Sequence, residues 1–146
     1  MKYRFLVLLI ASYILAFSVN LMPSIMYPDL KVNGFNLLVT LLFMFLLLLD
    51  SRRGSKMLKV FAVLGAISGI LVFFITTFEH AMFDNIILDS IASLQYPFYL
   101  IFITPVFGGN LLFAQSYGSY SLLMSLFYGI ILGLTIYFKK KDEISV

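Results

Sequence analysis

The chain has 146 residues and a formal charge of +3, with 62% apolar residues and 12% charged ones. Soluble domains carry about a quarter charged residues, so this composition excludes one and fits a single membrane domain over residues 1–146. Cysteine is absent, which removes disulfides, thiol catalysis, thiolate metal sites and covalent haem. The cations flank apolar runs and are not interleaved with exposed aromatics, so the bilayer is the expected partner and nucleic acid is not.

In chain order, Lys2 and Arg4 precede an uncharged run, Phe5–Met22. Its layout is that of a signal peptide, with Ala16-Phe17-Ser18 as a cleavage site. Its length is closer to a spanning helix, and it reads as a retained first span at about 5–22, closed by Pro23. Pro23–Asn33 holds two prolines and several turn formers and reads as a loop. The second span, about 35–49, is short and rich in leucine. It has no small-residue groove and is expected at the periphery, facing lipid. Four of the ten basic residues fall in Arg52–Lys59, between this span and a third at about 58–78. Such a basic turn is retained on the cytoplasmic side.

Residues 84–95 place Ile86, Ile87, Ile91 and Leu94 at helical spacing with Phe83 just before them, and Asp84 is the candidate cap. They read as an amphipathic helix on the outer interface. Residues 90–138 then carry no charge. Length alone permits two further spans there, five in total. Charge favours one: with four spans, every basic residue except Lys31 is cytoplasmic, while Asp29, Glu79, Asp84 and Asp89 are outside. Pro97, Pro105 and Gly108-Gly109 also interrupt a straight helix. Residues 97–115 are therefore expected to form a re-entrant or interfacial hairpin, and 120–138 the fourth span. The expected fold is an all-α bundle of four transmembrane helices in the plasma membrane, with both termini cytoplasmic. Tyr27, Tyr96, Tyr99, Tyr117 and Tyr120 belong to an outer aromatic belt. Tyr13 and Tyr128 fall within spans, where their hydroxyls need partners.

Three groups of residues are candidates for function. Gly65, Gly69, Ser125, Gly129 and Gly133 form small-residue grooves, through which membrane helices associate by close backbone approach. They point to packing between the third and fourth spans, or to a homodimer or partner seam. Glu79, His80, Asp84 and Asp89 make an outer polar cluster. One histidine beside one glutamate is a weak metal signal, and hydrated carboxylates at a helix end are the plainer reading. Thr104, Asn110 and Gln115, with Asn20 and Asn36, either line a pocket under the hairpin or satisfy backbone groups exposed by the prolines and glycines. No Asp, Glu, Lys, Arg or His lies inside the four expected spans beyond Lys59 at the cytoplasmic edge of the third, against a proton-coupled pathway, and no motif calls for a catalytic residue or cofactor.

The leading expectation is a non-enzymatic accessory, partner-binding or immunity-type factor acting through helix–helix contacts. The alternative is a small transporter or lipid-binding component with its site under the hairpin. A third is an outer-face enzyme using Glu79, His80 and Asp84.

Overall fold

A computed structural model describes residues 2–146. The described residues are helical, joined by short turns, with no strand among them. Five segments are long and apolar enough to cross a membrane: Tyr3–Ile25, Gly34–Ser51, Lys56–Met82, Ile86–Phe113 and Tyr117–Ser145.

The first helix, α1 (Lys2–Ile25), runs beyond its expected end at Met22 with Pro23 inside it. Proline has no N–H for the carbonyl four residues earlier, here that of Val19. The Asn36 amide of the next helix donates to that carbonyl at 3.0 Å, so the helix need not stop. That next helix, α2 (Gly34–Ser51), begins in a reciprocal capping box. Asn33 Oδ1 accepts from the Phe35 and Asn36 N–H groups, and the Asn36 side chain accepts from the Asn33 N–H. Helix α3 (Lys56–Met82) starts at Ser55, whose side chain accepts from the Leu58 N–H. The last long helix, Tyr117–Ser145, starts in the same way at Ser116.

Between them lie the short helices α4 (Ile86–Ala92), α5 (Gln95–Phe98) and α6 (Asn110–Phe113), which makes the last long helix α7. A π-helical turn, Tyr99–Ile103, and a 3-10 stretch, Thr104–Gly109, join α5 to α6. Helix α4 is shorter than the expected 84–95 and is capped by Asn85, which accepts from the Ile87 N–H, rather than by Asp84. Residues 95–113, which take in most of the re-entrant or interfacial hairpin expected over 97–115, are helical throughout, though irregular.

The longest interface joins α3 and α7, which run antiparallel. Along it Gly54 faces Lys139, Gly65 the Tyr128 ring, Gly69 Ser121 and Ser125, and Gly118 Thr76. Arg53 stacks on Phe5, 4.0 Å from the ring centroid. One end of the bundle therefore gathers the start of α1, the α2–α3 turn and the end of α7, and is called the basic end. The acidic end holds the α1–α2 loop, the end of α3 and the start of α7. Since α3 ends and α7 begins at the acidic end, both ends of the 86–113 segment lie there too.

The peripheral position expected for α2 is corrected. Val39, Phe43 and Leu47 are each at most 2% exposed, packed against α1 and the 3-10 stretch. The small residues that permit this belong to the other partner. At Gly108 a Cβ would collide with the Asn36 carbonyl and with Thr40 Oγ1, so bulky α2 meets bare backbone.

Candidate functional site

The irregular segment holds the longest unbroken run of burial among the described residues: every residue from Phe102 to Asn110 is buried. Buried carbonyls need donors, and neighbouring helices supply them. Pro105 cannot match the carbonyl of Ile101 four residues earlier; the helix widens into its π turn just before that point, and the Tyr13 hydroxyl donates to Ile101 O at 2.7 Å. The Tyr128 hydroxyl donates to Phe102 O and that of Tyr120 to Val106 O. Pro105 O accepts from Asn20 Nδ2 at 3.2 Å and from Thr40 Oγ1 at 3.4 Å. A cluster of rings fills the space around these bonds, with Phe61 tilted against Phe102 at 5.2 Å and edge to face with Tyr128 at 5.8 Å.

Nearer the acidic end, Thr104 Oγ1 and Ser24 Oγ lie 3.0 Å apart and the Tyr99 hydroxyl donates to Ser24 O at 2.8 Å. These bonds tie the broken segment to the last turn of α1. Beside them opens a cavity of about 340 Å³ whose lining includes Ser24, Tyr27, Gln95, Tyr96, Tyr99 and Tyr117. The Tyr99 and Tyr117 rings meet edge to face, 5.8 Å between centroids, and Tyr27 meets Phe107 the same way at 5.4 Å. Gln95 is 3% exposed, and its Oε1 is buried with no hydrogen-bond partner.

The pocket candidates Thr104, Asn110 and Gln115 do not come together. Thr104 faces α1. Asn110 closes a turn with Gln115, donating to its carbonyl and accepting its N–H, both at 2.9 Å, while Gln115 itself is exposed. Among the packing candidates, Gly65, Gly69 and Ser125 meet across the α3–α7 interface. Gly129 and Gly133 are exposed, and a Cβ at either would touch nothing within 4 Å. In the acidic group, His80, Asp84 and Asp89 are exposed and Glu79 is half-buried near Tyr117. Among the described residues no three of His, Asp or Glu gather to hold a metal ion.

Gln95 and Ser24 had no sequence pattern to single them out as cavity residues, because their convergence depends on the broken segment folding against α1. The tyrosines were visible only as a belt. A second cavity, about 250 Å³, lies towards the basic end between α1, α2 and α3, with Asp50 and Ser55 among otherwise mostly apolar walls. No protein-family model, curated protein or solved structure matches the chain.

Proposed function

We propose that this is a plasma-membrane protein with four spanning helices and no catalytic chemistry. The fourth apolar segment re-enters the bilayer from outside and builds a binding cavity for a small amphiphile, as a lipid-binding or transport component would. A single observation carries this reading. The 86–113 segment begins and ends at the acidic end, and its far residues, Ile101 and Phe102, meet Tyr13 in the middle of α1, Tyr128 in the interior of α7 and Phe61 of α3. Non-helical backbone at membrane depth is tolerated where protein covers it or where it lines a cavity, and broken helices often border binding sites. Four spans also put the Lys and Arg clusters on the cytoplasmic side together with both termini.

Native mass spectrometry of the purified protein tests the cavity. A lipid or amphiphile adduct is expected on the wild type and lost in Ile25→Trp, which narrows the mouth of the cavity from a side chain already 58% exposed. An adduct of equal occupancy in that variant would count against the site.

A second reading is favoured by the bare face of α7. Gly129 and Gly133 sit there with Leu126 and Ile130, 63% and 57% exposed, which suits a partner helix or a second copy. In this reading the protein is an accessory or immunity-type factor. Gly129→Ile with Gly133→Ile should then abolish cross-linking to the partner or between copies.

A further inference from the structure

We infer that the cavity between α1, α2 and the start of α3 binds a single-chain cationic amphiphile. Its ammonium head meets the Asp50 carboxylate and its alkyl chain lies along the apolar walls. This cavity shares no lining residue with the one at the acidic end, so the inference stands apart from the reading above.

The ligand's head follows from where α2 ends. The helix runs to Ser51, past the expected limit at residue 49, and so carries Asp50 into the wall of the cavity, 9% exposed. Among the described residues its carboxylate takes part in no hydrogen bond or ion pair; the one ion pair joins Lys139 to Glu143. Its oxygens keep accessible surface, unlike the sealed, unpartnered oxygens of Asn20 and Gln95. A buried charge needs a partner, and ionisable groups within membrane spans mark ligand or ion sites. The other polar groups of the wall are engaged. The Tyr13 hydroxyl donates to Ile101 O, and Ser55 Oγ accepts from the Leu58 N–H. The tail follows from the remaining walls. Asp50 and Ser55 sit towards the basic end, and the Tyr13 ring lies deeper, edge to face with Phe43 at 5.5 Å and Phe61 at 6.3 Å. Leu6, Ile10 and Met57 are exposed, which opens the cavity sideways to lipid. At about 250 Å³ it is smaller than the ~300–1,000 Å³ of most ligand pockets and suits one alkyl chain. Arg52, Arg53, Lys56 and Lys59 are exposed and do not line it; solvent screens them, and Arg53 is stacked on Phe5. An anionic head inside the cavity would face a carboxylate, whereas an ammonium neutralises it.

The test uses the full chain in phosphatidylcholine nanodiscs with Met57→Trp, which places the chain's single tryptophan at the rim of the cavity. Its emission is followed while n-octylammonium chloride, n-octanol or sodium octanoate is added. A saturable change with octylammonium is expected, at least about tenfold tighter than with octanol, since a hydrogen bond to a charged group is worth that much. Octanoate should bind more weakly than either. Adding Asp50→Asn should bring octylammonium down to the affinity of octanol, and Asp50→Glu should keep the preference for the amine. Equal affinity for octanol and octylammonium overturns the inference, as does tighter binding of octanoate or an octylammonium titration unchanged by Asp50→Asn. Absence of any saturable change overturns it too, and none of these results bears on the cavity at the acidic end. Should Asp50→Asn fail to fold, the comparison of the three ligands in Met57→Trp decides alone.

Discussion

At the scale of single residues, the molecule is held by pairings between a defect in one segment and a polar side chain in another. Pro23 leaves the Val19 carbonyl to Asn36, and Pro105 leaves that of Ile101 to Tyr13. Hydrogen bonds between membrane helices average about 0.6 kcal/mol and reach about 1.7 kcal/mol. Tyr128→Phe, which removes the bond to Phe102 O at a fully buried site, should therefore cost about 1 kcal/mol in a denaturant unfolding titration in detergent. Tyr137→Phe, at an exposed position, should leave the midpoint unchanged. Ala114 ends α6 with φ of 49°, in the left-handed region where a Cβ costs about 1–2 kcal/mol. Ala114→Gly should raise stability by about 1 kcal/mol in the same titration, and a lower midpoint would show that the turn is not strained there.

At the scale of elements, the α3–α7 interface is set by small residues on α3 facing Tyr128, Ser121 and Ser125. Overpacking a tight contact costs about 1–3 kcal/mol, and at Gly69 the obstacle includes the Ser121 carbonyl, which cannot swing aside. Gly69→Ile is predicted to lose at least about 2 kcal/mol, whereas Gly129→Ile, with open space around it, should unfold at the wild-type midpoint. Equal losses would mean that α7 presents its other face to α3.

Which elements were legible follows from where their determinants lie. The helices α1, α2, α3 and α7 announce themselves through uncharged runs bounded by the Pro23–Asn33 loop and the basic turn, all local signals. Breakage of the 97–115 stretch was visible in its prolines and glycines. Its helical continuity was not, because the donors that rescue its carbonyls come from Tyr13, Asn20, Thr40, Tyr120 and Tyr128, far away in sequence. The burial of α2 was missed for a related reason. No groove of small residues lies on α2 itself, because the small residue that admits it, Gly108, lies on the segment it packs against.

At the scale of the whole molecule, the central claim is that the chain crosses the bilayer four times and dips once. The absence of native cysteine allows single cysteines to report sidedness in intact cells with a membrane-impermeant maleimide. Asn85 and Gln115 bracket the dipping segment, and Ser55 and Val146 mark the basic end. The account predicts that Asn85→Cys and Gln115→Cys are both labelled from outside, and that Ser55→Cys and Val146→Cys react only after the cells are opened. Labelling of Asn85→Cys and Val146→Cys from outside, with Gln115→Cys protected, would make 86–113 a fifth span and contradict the account.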